Sequence, residues 1–408
     1  MSSTPKGMRD IMPQDMLIRE SIKEKITELY RSYGYRPLDT PALEYLETLR
    51  KKAGEEADKQ IFVLKDERLG LRFDLTVPLA RVAASSDFAR PFKRYCIAPV
   101  WRKEEPQKGR FREFWQADID IIGSSSMRCE AELLTLANEV CTAYGFDKPK
   151  ILLNNRKILE ALAEELEIGK EKEEVFRILD KIDKIGRAAV EEQLELILGN
   201  KASDFLSYIK TTGKNKEKLD RVRDVCTEGV EELEQILELC NFDIEIDLSL
   251  VRGLGYYTGP VFEIKLSDDI GTVMAGGRYD KLLAVYGQDD PAVGISIGIE
   301  RLITLLAERE EKKLSRTQVY VACAKPDFYK DALSTAAKLR KKGLFVETDL
   351  KKRNLRKQFD YVNALGIVYM IIIGQREKES GKVTLRNMVS GDENLVSLAD
   401  AAKKIKEG

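Results

Sequence analysis

The stretch VWRKEEPQKGRFREFWQADIDIIG, residues 100–123, reads as strand, loop and strand. Its loop, EPQKGR, carries a proline and a glycine, the chemistry of a turn between extended arms. On the first arm Arg102 and Glu104 are two apart and share a face. On the second, Phe114, Gln116, Asp118 and Asp120 alternate onto one face. A face with an arginine, a glutamate, an aromatic ring, a glutamine and two aspartates is too polar for a plain core layer. It is either the floor of a polar pocket or a solvated sheet face held by local ion pairs.

Three further segments repeat this mixture. RFDLTVPLAR, 72–81, puts Asp74 and Thr76 on one face of a strand end. LVRGLGYYTGPVFEI, 250–264, reads as a strand with Arg252 set among apolar residues and glycines at 253, 255 and 259. AGGRYDKLL, 275–283, has two glycines before Arg278. They permit close backbone approach to a ligand, or a tight turn. PAVGISIGIERL, 291–302, is glycine-rich ahead of a helix bearing Glu300 and Arg301, which suits a phosphate or tight strand–helix packing.

Composition narrows the chemistry. The chain has 408 residues, enough for two or three domains, with 43% hydrophobic and 34% charged residues. Its net charge is −1, so a nucleic-acid partner has to be met by local basic patches. There is no histidine. That excludes Ser-His-Asp and Cys-His catalysis and the usual Cys/His zinc sites, and leaves positioning and electrostatics. The six cysteines form no CxxC and read as small core residues of a reducing compartment. The N-terminus is polar, and no run approaches the roughly 18 apolar residues of a membrane span. A cytoplasmic protein without membrane contact is expected.

Residues 15–34 carry Leu17, Ile18, Ile22, Ile26, Leu29 and Tyr30 at helical spacing. Strand-like runs follow at 61–65, 69–76, 94–101 and 111–122, then a helix at 128–145. From 155 to 240 leucines and isoleucines recur every three or four residues among Glu and Lys, an all-helical insertion. Strands return at 243–252, 256–266 and 270–275, and a helix at 298–310. After a charged linker at 308–317, the order β-α-β-α-β predicts a small α/β domain with a parallel sheet.

Taken in order, these segments resemble the class II aminoacyl-tRNA synthetases, and the histidyl-tRNA synthetase family in particular, over nearly the whole length. PKGMRDIMP resembles that family's N-terminal signature. The first helix with RPLDTPALE resembles the dimer-forming first class motif, VWRKEEPQKGRFREFWQ the second and GISIGIERL the third. LVRGLGYYTGPVFE and AGGRYD resemble the two signatures peculiar to the histidine enzymes.

The resemblance implies an α+β catalytic domain on a mixed, mainly antiparallel sheet (1–154 and 241–308), an all-helical insertion (155–240) and a C-terminal anticodon-binding α/β domain (317–408). It implies a homodimer that uses ATP, Mg²⁺, histidine and a histidine tRNA, with no metal ligand assigned among the side chains. Arg102 would hold the α-phosphate. Phe114 and Arg301 would sandwich the adenine, and Glu104 would contact its edge. Asp74, Thr76 and Gln116 would receive the α-ammonium of histidine. Asp120 and Tyr257 would bind the imidazole, with Tyr256 and Arg278 in the same pocket. Arg252 would act as catalyst, meeting the charge that develops as carboxylate attacks phosphate. Gln107, Lys108 and Arg110 would meet the tRNA acceptor end. Lys351, Lys352, Arg353, Arg356 and Lys357 would approach the anticodon stem, or form a solvated face.

Two positions depart from the family pattern. Gly255 stands where the family usually has aspartate, and Trp115 where it often has His or Tyr. Other readings are a synthetase-like regulatory or sensor protein without catalysis, and a synthetase for another small amino acid such as proline or glycine. Arg252 and the C-terminal β-α-β-α-β unit speak against the first, RGLGYYTG and AGGRYD against the second.

Overall fold

The computed structural model describes residues 3–51, 58–65, 68–106, 109–252, 255–307 and 315–407. The chain divides into two compact units, 1–10 with 21–308, and 11–20 with 309–408.

The first unit is built on an eight-stranded sheet. Its strands are β1 (Arg36–Pro37), β4 (Phe92–Trp101), β5 (Glu113–Ile122), β6 (Lys150–Asn155), β7 (Glu245–Ile246), β8 (Pro260–Lys265), β9 (Thr272–Arg278) and β10 (Ala292–Gly298). They lie in the order β1-β4-β5-β10-β9-β8-β6-β7, and the six central ones pair antiparallel. A separate two-stranded ribbon joins β2 (Leu43–Tyr45) and β3 (Leu69–Leu71). The hairpin expected at 100–123 is there. β4 and β5 pair from Phe92↔Ile122 to Trp101↔Glu113.

One face of this sheet is covered. The helix Pro13–Ser32 buries Ile22, Ile26 and Tyr30, and the Tyr30 hydroxyl donates to the Ala117 carbonyl on β5 at 3.1 Å. The helix Arg128–Ala143 buries Leu133, Leu134, Leu136 and Ala137. Gln116, Asp118 and Asp120 alternate with Ala117 and Ile119, so they point to the other face. That face is the pocket floor.

Between β6 and β7 the chain is helical, in seven α-helices from Arg156 to Leu239. Asn155 caps the first, accepting from the Lys157 amide at 3.1 Å, and Ile158, Leu159 and Leu162 are buried on its apolar stripe. The stripe is less complete at Ile185, which is 41% exposed.

In the second unit β11 (Val319–Cys323) pairs parallel with β12 (Val346–Thr348) and β13 (Tyr369–Ile373), as the β-α-β-α-β order requires. The sheet does not stop there. β14 (Val383–Asn387) and β15 (Glu393–Val396) add antiparallel strands, and the helix Leu398–Glu407 packs Ala401, Ala402 and Ile405 into the same core. The expected all-parallel sheet is thus mixed.

Among the described residues no helix is long and apolar enough to cross a membrane. Cys96, Cys129, Cys141 and Cys323 are buried and no disulfide forms among the six cysteines.

Arg278 corrects one expectation. It pairs with Val293 on β10, one residue out of phase with the pocket floor, and so projects to the covered face. There it makes a bidentate pair with Glu130, at 2.6 and 2.9 Å, and also donates to Asp280 and to the Ser124 carbonyl. Both side chains are almost fully buried. It braces strand to helix and is not a pocket residue. Removing one partner of such a pair strands a buried charge. Glu130→Gln should therefore lower unfolding stability by about 3 kcal/mol, measured by chemical denaturation, while Glu160→Gln in a half-exposed pair should cost under about 1 kcal/mol.

Candidate active site

A cavity of about 330 Å³ opens on the free face of the sheet. Its floor is β5 from Phe114 to Asp120, flanked by Gly294, Ser296 and Gly298 on β10. At roughly 3.3 Å per residue this floor is about 20 Å long. The register dictates which residues fit. Asp120 lies opposite Gly294, where a Cβ would sit 2.2 Å from the Asp120 carboxylate, so only glycine leaves room. At Gly277 a Cβ would come within 2.8 Å of the Tyr257 ring. The AGG glycine therefore admits a neighbouring side chain.

Arg102, Glu104, Phe114, Arg301, Asp74, Thr76, Gln116, Asp120, Arg252, Tyr256 and Tyr257, gathered from segments far apart in sequence, all line this cavity. Arg110, expected at a tRNA surface, lines it too. Gln107 and Lys108 lie outside the described residues. Several of these residues reach the cavity by routes other than the expected ones. Thr76 opens the helix Thr76–Ala84, and Asp74 precedes it as a capping residue, accepting from the Val77 amide at 3.0 Å. The strand expected through 69–76 ends at Leu71, because Asp74 offers the next backbone amides a better partner than a strand could. Likewise the 250–264 stretch is strand only from Pro260. Its glycines and proline break the ladder, and Arg252 stands on the preceding loop. Gly253 is outside the described residues.

The cavity has two electrostatic characters. Toward Phe114 it is cationic. Arg102 donates from Nε to the Phe73 carbonyl at 2.9 Å and lies 5.1 Å from the Phe114 ring centre. Burial, with Arg110 and Arg252 nearby, lowers Arg301 to about 10. Arg252 donates to Glu263 at 2.5 Å; burial opposes its charge, but Glu263 more than offsets this and raises its pKa. Its Nε is buried with no partner among the described residues. Glu263 also accepts from Thr272, at 2.6 Å.

Toward Asp120 the cavity is rich in acceptors. Asp120 is held by Arg94 at 2.9 Å and by the Tyr279 hydroxyl at 2.5 Å, and burial still raises its pKa. Burial pushes Asp74 up to about 6. Burial and the neighbouring Asp120 charge push Asp118 up to about 7. Asp74 Oδ2, Gln116 Oε1 and Asp118 Oδ1 are buried and meet no donor among the described residues. Unpaired buried acceptors cost stability unless a ligand supplies donors. Arg94, Glu263, Tyr279 and Ser296 were missed from sequence. Asp118 was legible on the polar face of β5 but had no role.

Acceptors at one end and guanidinium groups at the other suit a ligand bearing both an ammonium and phosphate. Comparisons with known proteins agree. The profile described as histidyl-tRNA synthetase matches residues 7–302, and that of an anticodon binding domain matches 318–408. The chain is 40% identical to the histidine–tRNA ligase of Aeropyrum pernix, covering 98% of this chain and 97% of that one. It is 38% identical to that of Porphyromonas gingivalis, covering 98% of each. The crystal structure of histidyl-tRNA synthetase from Nostoc sp. PCC 7120 superposes with a TM-score of 0.87 at 32% identity, covering 99% of both chains. A Bacillus halodurans structure described as an ATP phosphoribosyltransferase regulatory subunit/histidyl-tRNA synthetase has a TM-score of 0.74, covering 88% of this chain and 96% of that one. At 23% identity it shares the fold alone. The chain belongs to the histidyl-tRNA synthetase family.

The raised Asp74 pKa has a stability consequence. A carboxyl raised above its unfolded value gives stability that is fully present below the unfolded pKa, near 4, and is lost as pH rises through about 6. Asp74→Asn keeps an oxygen for the Val77 amide and carries no charge. The ligand-free variant should be more stable than the parent by about 2 to 3 kcal/mol at pH 8, and the difference should fall to about half by pH 5 and close near pH 3, as read from denaturation at the three pH values.

Proposed function

We infer that this chain activates histidine with ATP and transfers it to the 3′ end of its tRNA. The observation that carries this reading is one cavity with unpaired buried acceptors at one end and guanidinium groups at the other, in a chain of this family. Asp74, Thr76 and Gln116 take the α-ammonium, and Asp120 and Tyr257 take the imidazole. Tyr256 packs beside Tyr257, its ring centre 4.9 Å away, and holds that ring in place. Phe114 and Arg301 enclose the adenine, with Glu104 at its edge, and Arg102 holds the α-phosphate. A floor of about 20 Å accommodates such an adenylate end to end.

A histidine carboxylate oxygen attacks the α-phosphorus, and the bond to the β-phosphate oxygen breaks. Negative charge grows on the phosphoryl oxygens as it does so. Arg252, fixed by Glu263, meets that charge without having to reorganise. In the second step the 3′-hydroxyl of the terminal adenosine attacks the activated carbonyl, and a phosphate oxygen of the adenylate takes its proton. No protein imidazole is required, and the chain has none.

Mg²⁺ accompanies the nucleotide in this reading. Among the described residues no group of three or more Cys, Asp or Glu side chains forms a metal site, so the ion has no protein cage assigned and no step runs through it.

The catalytic residues fall in 1–154 and 241–308, with 155–240 inserted between them, and residues 317–408 receive the anticodon stem. Arg110 extends the pocket's positive charge toward the tRNA acceptor end, with Gln107 and Lys108 beside it in sequence. In the C-terminal basic cluster Arg353 is already committed, to Asp349 at 2.9 Å and to the Tyr361 ring. The proposed assembly is a cytoplasmic homodimer through the first helix and RPLDTPALE. The exposed Leu43 within that motif and Tyr45 directly after it support a covered surface there.

ATP–pyrophosphate exchange tests the reading. Exchange with histidine and not with proline or glycine is expected, and absence of exchange would overturn it. Arg252→Ala should slow single-turnover adenylation by at least about a hundredfold, with a much smaller change in ATP affinity. An unaltered rate would remove Arg252 from the chemistry.

A further inference from the structure

The assigned ammonium site contains Asp74, Thr76 and Gln116, but the floor holds a third buried acceptor without a donor. Asp118 lies two residues beyond Gln116 on the same face of β5, and it lines the cavity. It is 2% exposed, and its Oδ1 meets no hydrogen-bond donor among the described residues. Directly opposite, on β10, stands Ser296.

The polarity of the contacts around Ser296 follows from donor and acceptor counting. Gln116 Nε2 donates to Ser296 Oγ at 2.5 Å. The one hydroxyl proton of Ser296 is then free for the Asp118 carboxylate, which it stabilises as a side-chain hydrogen bond. Proton donation runs one way, from Gln116 to Ser296 to Asp118. With its amide nitrogen held by Ser296, Gln116 has its carbonyl Oε1 left for the cavity, where it stands buried and unpaired. The reversed amide would present N–H groups to the incoming ammonium. An ammonium has three N–H donors, and Asp74 Oδ2, Gln116 Oε1 and Asp118 Oδ1 are three acceptors of one cavity, unpaired among the described residues.

We propose that Asp118 is a further amino-acid-binding residue, accepting from the α-ammonium of histidine, and that Ser296 is a positioning residue that fixes the Gln116 amide for the same contact. This rests on the histidine-activating reading of the pocket. Its raised pKa fits the role, since a buried carboxylate short of donors gains most from a cationic ligand.

The test uses the full-length protein. Wild type must first exchange pyrophosphate in a histidine-dependent way; failure there overturns the activity reading itself. Binding of histidinol, which keeps the ammonium and the imidazole, is then compared with binding of 3-(imidazol-4-yl)propionate, which lacks the ammonium. Asp118→Asn should weaken histidinol by at least about tenfold and leave the propionate within about twofold. Ser296→Ala should raise the KM for histidine by about tenfold with kcat and the KM for ATP little changed, and Ser296→Thr, which keeps the hydroxyl, should restore it. Melting curves with ATP present separate misfolding from lost recognition. If Asp118→Asn weakens both ligands alike, or neither, Asp118 does not read the ammonium. If Ser296→Thr behaves as Ser296→Ala does, the hydroxyl is not what positions Gln116.

Discussion

Arg94 is completely buried on β4 beside Asp120, and its contact with that carboxylate is the condition on which the site depends. Three carboxylates, Asp118 and Asp120 on β5 and Asp74 ahead of the helix Thr76–Ala84, line one cavity, and burial raises the pKa of each. Without a cation among them they would repel one another or protonate. Arg94 neutralises one of the three, and carbonyls of Leu38 and Leu75 accept from its remaining nitrogens. Asp74 accepts from the Val77 amide and Asp118 from Ser296, and each keeps one oxygen that meets no donor among the described residues. Those oxygens suit a ligand that brings N–H donors. At the other end the sign is reversed. Arg102, Arg110, Arg252 and Arg301 line one cavity, and burial, with Arg110 and Arg252 nearby, lowers Arg301.

Much of this was legible in the chain. Alternation in FWQADID put the right residues on one face because side-chain period in a strand is two, and no tertiary contact alters that. Arg252 and the two tyrosines were placed in the pocket through family resemblance. Their local backbone was misread, because β-branched and aromatic content outweighed three glycines and a proline in the strand reading. Thr76 was misread for a related reason. RFDLTVPL looks extended, but the Asp74 side chain starts a helix. Arg278 went to the wrong side because the resemblance of AGGRYD to a family signature put it in the pocket. Only the pairing with Val293 reveals its phase. Arg94, Glu263, Tyr279 and Ser296 gave no local signal. Each matters through a residue that register or a loop brings opposite, and single-chain spacing does not contain that information.

The second unit teaches the same lesson at larger scale. The parallel core of β11, β12 and β13 followed from alternating strand and helix patterns. β14 and β15 escaped because their residues, VTLRN and ENLV, are half polar and short, as suits strands approaching the edge of a sheet.

One strand, β5, lines the cavity from Phe114 to Asp120, and glycine at 294 and serine at 296 fit only if β10 keeps its present phase. Sliding either strand by one position would turn every recognition group into the covered layer and bring isoleucines to the surface of the cleft. The turn joining β4 to β5 is therefore intolerant of inserted or deleted residues that propagate into the ladder. Changes of substrate preference in this scaffold have to come from exchanges at alternate positions, with chain length held constant.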